Sequence, residues 1–228
     1  MAECKDMGGR PIRGILFDLD GVLIDSGRDI MNAVNWTLGQ YGLPALPYEI
    51  VKSHVGHGAA ELLARCFGEF GSGHRETEAR ALAIYKTRYL DYSVVETTLY
   101  PGVEEGLNRL SGLAMAVVTN KPGALAHQIL SALGIRHHFG SLIAPEVLTR
   151  MKPDPEGLHL AMKELGLQAQ ETLMAGDTWS DIEAGQRAGI RTFGALWGLG
   201  EIQALRDSKP DWLAETFPEL VDVVLGVA

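Results

Sequence analysis

Five short, predominantly apolar runs constrain this chain more than any other feature: residues 15–17, 113–118, 142–144, 173–175 and 192–196. A strand with one wet face alternates apolar and polar residues, whereas a continuous apolar run must be buried on both faces. Between the runs, residues 103–110, 123–133, 155–165 and 180–188 carry the 3.6-residue period of helices. Short strands alternating with helices predict a parallel sheet covered on both sides. A last edge strand is expected at 212–214, after the turn at Lys209-Pro210-Asp211.

The expected class is α/β, a Rossmann-like parallel sheet with helices on both faces. One connection breaks its rhythm. About ninety-five residues separate the first strand from the second, where a crossover needs only about a dozen. Within that stretch Ile30, Ala33, Val34, Thr37, Leu38 and Tyr41 share one helical face, residues 60–67 and 76–92 also look helical, and no strand is evident. Residues 27–94 therefore form an expected helical cap domain, hinged near Asp25-Ser26 and before Pro101. Residues 1–26 and 95–228 are expected to form the Rossmann-like core.

Ligands of such sheets bind beyond the carboxyl ends of the strands. Asp18 and Asp20 follow the first run, Asp177 and Asp181 follow the fourth, Thr119 follows the second, and Lys152 precedes Pro153. Two acidic pairs brought to one edge, with a hydroxyl and an ammonium to balance them, suit Mg²⁺ and a phosphate ester. Phosphate monoesters need that combination, since their hydrolysis calls for rate factors of up to ~10²¹.

Taken singly, each segment has a plainer reading. Asp18-Leu19-Asp20-Gly21 could open a Ca²⁺ loop, but Val22, Leu23 and Asp29 stand where that loop needs an oxygen ligand, a glycine and a glutamate. Thr119 could cap a helix, Lys152-Pro153-Asp154-Pro155 could be a rigid loop, and Asp181 could face a helix dipole.

In order and together the segments resemble the haloacid dehalogenase superfamily, over nearly the whole chain. The matching stretches are Phe17-Asp18-Leu19-Asp20-Gly21-Val22-Leu23-Ile24-Asp25-Ser26, Val118-Thr119-Asn120-Lys121, Lys152-Pro153-Asp154-Pro155 and Gly176-Asp177-Thr178-Trp179-Ser180-Asp181. Tyr100-Pro101-Gly102-Val103, Ala184-Gly185-Gln186-Arg187-Ala188-Gly189 and Trp197-Gly198-Leu199-Gly200 look like its phosphoglycolate phosphatase branch.

The resemblance implies that Asp18 is the nucleophile, forming an aspartyl-phosphate, and that Asp20 is the general acid and then the base. It implies that Thr119 and Asn120 bind phosphoryl oxygens and that Lys152 holds Asp18 and the phosphate. Mg²⁺ would sit on an Asp18 oxygen, the Asp20 carbonyl and Asp177, with Asp181 ordering a metal-bound water or Lys152. Asp18, beside Lys152 and Mg²⁺, is expected to stay ionised.

Val22 replaces the threonine of many relatives in that branch and also suits a β-phosphoglucomutase-like mutase, while Asn120-Lys121 favours a phosphatase. A hydrolase of pyrophosphate, nucleotides or sugar phosphates would also suit these motifs. A non-catalytic binding protein would have lost Asp18, Asp20 or Lys152, and all are present.

Gly56-His57-Gly58 interrupts two helical patterns in the cap. It is either a plain turn or a loop that brings the His57 imidazolium, or its own exposed amides, to the carboxylate of a substrate such as phosphoglycolate. Trp179 either lines the site or packs.

The remaining composition excludes more than it assigns. A net charge of −9 without a basic stripe disfavours nucleic acid. The polar start lacks the apolar stretch of a signal peptide, and no run is long enough to span a bilayer. The expected setting is the cytoplasm, with a small phosphorylated metabolite as partner, no membrane, and a monomer or homodimer. Cys4 and Cys66 read as plain thiols, and no histidine spacing suits zinc.

Overall fold

The computed structural model describes residues 12–71 and 78–227. Six strands form one parallel sheet: β1 (Gly14–Phe17), β4 (Ala114–Val118), β5 (Ser141–Ile143), β6 (Thr172–Gly176), β7 (Arg191–Ala195) and β8 (Trp212–Ala214). Their order is β5-β4-β1-β6-β7-β8, so β1 lies inside the sheet between β4 and β6. The ladder aligns Phe17 with Val117 on one side and with Ala175 on the other. Three chain segments distant in sequence therefore end level with one another.

The expected two-sided burial is found. Successive strand residues point to opposite faces, so Ile15 and Phe17 join one core while Leu16 joins the other. The smaller core lies under α7 (Glu156–Leu165) and α8 (Trp179–Arg187), through Leu158, Ala161, Met162 and Ala184. The larger one lies under α5 (Val103–Arg109), α6 (Gly123–Ala132) and α10 (Phe217–Leu225). Both outer strands are three residues long, which leaves little open edge for unwanted pairing.

Two C-terminal helices add to the sequence reading: α9 (Ile202–Asp207) and α10. Thr216 caps α10 through the Glu219 amide, Pro218 lies in its first turn, and Gly226 ends it in the left-handed region.

The long connection holds α1 (Gly27–Gly39), α2 (Tyr48–Ser53), α3 (Ala59–Gly68) and α4 (Glu78–Asp91). The six-residue α2 is too short for periodicity to reveal. Residues 76–77, the expected start of the last of these helices, lie outside the described residues, as does Cys4. Where the chain leaves and rejoins the sheet domain, Ile24–Asp25 (β2) pairs antiparallel with Thr98–Leu99 (β3). That two-residue ribbon stands at the expected hinges, where the sequence showed no strand. Next to it the buried Asp29 carboxylate accepts the backbone N–H groups of Val95, Glu96 and Thr97 and the Thr97 hydroxyl. Among the described residues, no helix is long and apolar enough to cross a membrane.

Candidate active site

The carboxyl edge of the sheet gathers the expected groups. Asp18 follows β1 directly, and its backbone N–H continues the ladder to the Ala175 carbonyl at 2.9 Å. Thr119 follows β4 and is held the same way by Ile143, at 3.0 Å. Asp177 follows β6, and Asp181 lies in the first turn of α8. There the Asp181 Oδ2 accepts the Thr178 N–H at 3.1 Å and the Thr178 hydroxyl at 2.6 Å.

Lys152 reaches this edge from the loop before α7. Its Nζ lies 2.9 Å from Asp18 Oδ1 and 2.6 Å from Asp181 Oδ1, and it donates to the Val118 carbonyl at 2.8 Å. Burial alone would favour the neutral amine, but Asp18 and Asp181 outweigh it and keep the ammonium charged above its ordinary range.

The acids have no such surplus of partners. Burial pushes Asp18 up to about 6 against the pull of Lys152, with Asp181 and Asp20 adding repulsion. With its pKa at about 6 the Asp18 carboxyl is still mostly ionised at neutral pH, though Lys152 does not offset the whole cost of burial. Asp177 is raised well above the usual carboxylate range, first by burial and then by Asp181 and Asp18.

These shifts describe an acidic cluster short of positive charge. Oxygens of Asp18, Asp177 and Asp181 lie within 4.8 Å of one another, close enough to hold one metal ion. Asp177 is the clearest indication: its Oδ2 accepts the Leu199 and Gly200 N–H groups at 2.8 and 2.9 Å, while its Oδ1 is buried without a hydrogen-bond partner. An all-oxygen donor set with a partnerless buried carboxylate oxygen fits a hard divalent cation such as Mg²⁺.

The backbone approaches Asp177 as closely as sterics allow. Gly21 has φ +86°, and a Cβ there would stand 1.9 Å from Asp177 Oδ2. Only glycine suits both constraints.

Over this edge the helical insert supplies Ile30, Val55, Ala59, Leu62 and Tyr85 to a pocket whose floor includes Asp18, Asp20, Thr119 and Asp177. Two sequence expectations change here. Gly56 and Gly58 line the pocket, but His57 does not; its ring lies 5.8 Å from that of Trp179. Burial lowers its pKa, followed by Arg65, so an imidazolium is disfavoured as well as displaced. The glycines on either side adopt positive φ, the left-handed backbone that only glycine takes freely.

The Asn120 amide is also engaged within the protein. Its Nδ2 donates to the Gly56 carbonyl at 3.0 Å and the Lys152 carbonyl at 3.2 Å, and its Oδ1 accepts the Lys152 N–H at 3.2 Å. It fastens the insert loop and the lysine loop together, so its amide protons are not directed at a phosphate.

Three contributors were assigned no place in the site by the sequence reading: Ser26, Tyr89 and Lys121. Ser26 donates its hydroxyl to Asp20 Oδ1. Lys121 Nζ lies 2.8 Å from the same oxygen and donates to the Tyr89 hydroxyl at 2.7 Å. Ser26 and Lys121 stand within the recognisable segments, so only their contacts were hidden. Tyr89, on an insert helix, carried no signal beyond its helical face.

The fold and the site define an α/β protein of the Rossmann-like class whose carboxyl edge is acidic and lysine-bearing and lies beneath a helical insert. Residues 15–195 match the family of haloacid dehalogenase-like hydrolases. Phosphoglycolate phosphatase of Colwellia psychrerythraea is 35% identical over 91% of this chain and 94% of its own. That of Haemophilus influenzae is 34% identical over 91% and 96%. The crystal structure of a predicted phosphoglycolate phosphatase from Haemophilus somnus superposes with a TM-score of 0.87, at 30% identity, covering 93% of this chain and 97% of that one. The chain belongs to the haloacid dehalogenase-like hydrolases, in the branch similar to phosphoglycolate phosphatases. It is an enzyme of the phosphatase class.

Proposed function

We infer that this enzyme hydrolyses a small phosphomonoester, with phosphoglycolate the preferred substrate, through an aspartyl-phosphate on Asp18. One observation carries the reading: Asp18, at the end of a central strand, has one oxygen on Lys152, with Asp20 two residues on and the partnerless Asp177 Oδ1 in the same acidic cluster. An Asp18 oxygen attacks phosphorus as the ester P–O bond breaks. The electron pair leaves on the ester oxygen, which takes a proton from Asp20. Water then attacks phosphorus and gives a proton to Asp20, and Asp18 and inorganic phosphate separate.

Lys152 and the Thr119 hydroxyl hold the phosphoryl oxygens in this scheme. An Asp18 oxygen, the Asp20 carbonyl and Asp177 would hold Mg²⁺, which when bound neutralises charge on the phosphoryl group. Asp181, occupied by Thr178 and Lys152, orients the lysine. Residues 27–94 act as a cap that excludes water over the pocket. The preference for phosphoglycolate draws on the relatives. The reaction belongs to the cytoplasm, where such metabolites arise.

The test is turnover, with Mg²⁺, across phosphomonoesters of two to six carbons, pyrophosphate and nucleotides. The expected result is the highest kcat/KM for phosphoglycolate. Higher kcat/KM for a hexose phosphate, a nucleotide or pyrophosphate would overturn the substrate, and no turnover of any ester would overturn the activity.

A further inference from the structure

Spacing places Asp20 near Asp18, but it does not decide which oxygen of Asp20 faces the reacting ester. The donors around it do. Asp20 Oδ1 accepts the Ser26 hydroxyl and lies 2.8 Å from Lys121 Nζ. Among the described residues no hydrogen bond or ion pair engages Oδ2. Two donors on one oxygen remove the carboxylate's freedom to present either, and orientation of this kind lowers a barrier through prepaid entropy.

Lys121 is held in turn by the insert. Its ammonium donates to the Tyr89 hydroxyl at 2.7 Å and lies 4.4 Å from the centre of the Tyr89 ring. Tyr89 belongs to α4 and is buried, as is Lys121. A buried ammonium needs its partners, because desolvation costs several kcal/mol when they are missing. With the insert undocked, Lys121 would lose the phenol and the ring together and gain water instead.

We propose that Lys121 is a positioning residue: with Ser26 it pins Asp20 Oδ1 so that Oδ2 meets the leaving oxygen, and Tyr89 makes the pinning conditional on a docked insert. The proposal rests on the phosphatase reading above. It ties closure of the pocket to proton delivery, so that the reaction is armed only when water is excluded.

The experiment uses the full chain with Mg²⁺ and the variants Lys121→Met, Lys121→Arg and Tyr89→Phe. Rapid quench measures phosphoenzyme formation from phosphoglycolate and from p-nitrophenyl phosphate, whose leaving group departs without a proton. Lys121→Met is expected to slow the alkyl ester about 10-fold more than the aryl ester, a fraction of the ~10²–10⁴ of a general acid. Tyr89→Phe should move the same ratio in the same direction by about 3-fold. Lys121→Arg should recover part of the loss, and KM for phosphoglycolate should change little. Wild-type turnover with an unchanged alkyl-to-aryl ratio in both Lys121→Met and Tyr89→Phe overturns this inference alone. So does a rise in KM at unchanged kcat, which makes Lys121 a substrate ligand. No wild-type turnover of either ester overturns the phosphatase reading and the inference with it. Thermal melting shows whether each variant folds, and Tyr89→Phe, which removes one oxygen, decides the matter if Lys121→Met does not.

Discussion

The sheet edge and the insert above it hold their functional groups by different means. Asp18 and Thr119 continue the strand ladders through their own backbone amides, and Asp177 is held by two backbone N–H groups of the loop after β7. Polar links from the insert to the sheet domain include single side-chain contacts: Asn120 to Gly56, Lys121 to Tyr89, and Gln128 Nε2 to the Leu90 carbonyl at 2.6 Å. A ladder opens only with the fold, whereas a contact worth about 0.5–1.5 kcal/mol opens often. The chemistry is thereby made rigid and the access to it adjustable.

Replacing a core group should give the largest effect. Asp18→Asn removes the nucleophile without changing its shape, and turnover should fall by at least about 10³-fold while the melting temperature holds. Retention of a tenth of the activity would break the covalent scheme.

At the junction, Asn120→Ala deletes three hydrogen bonds shared by the insert loop and the lysine loop. A loss of about 10-fold in kcat/KM is expected, the equivalent of about 1.4 kcal/mol. A loss as large as that of Asp18→Asn would mean that the junction is as much part of the chemistry as the edge.

Asp177→Asn separates function from stability. A carboxyl whose folded pKa lies above its unfolded value costs stability as pH rises through that interval, and the full cost is present above the folded value. Asp18, at about 6, and Asp177 are both raised. In chelator at about pH 8, the neutral amide should therefore raise the melting temperature by about 2–4 °C, roughly 1 kcal/mol for a chain of this length. It should also abolish the further rise on adding Mg²⁺. A lower melting temperature in chelator would show that the acidic cluster is not short of positive charge.

His57→Ala is the smallest. With its ring on Trp179 outside the pocket lining, the change in kcat/KM for phosphoglycolate should stay below about 3-fold. A tenfold loss would return the imidazole to the substrate.

The same contrast marks how far the sequence could be followed. The strand ends were legible because apolar residues dominate each strand, with Thr172, Arg191 and Thr192 among the buried polar exceptions, so the acids that follow the first and fourth runs stand at the carboxyl edge. Asp18, Asp177, Thr119 and Lys152 needed nothing more than that and the order of segments. Lys121, Ser26 and Tyr89 meet around Asp20 from three separate elements, and no local pattern encodes such a meeting. His57 is hard to place from sequence because Gly-His-Gly marks a turn without showing where its side chain lies. Ribbon β2–β3 was hidden by its length of two residues per strand, and α2 likewise carried too few turns.

Asp29 gives the insert one more property. By gripping three consecutive amides of the returning chain, beside a ribbon that joins Ile24 to Leu99, it ties departure and return into a single knot. To the sheet domain, everything between those ends amounts to one tight turn, so its length adds little to the entropy of closing the loop. The helices beyond the knot are therefore tethered to the sheet domain at one place, and their seat over the edge rests on the contacts they make there.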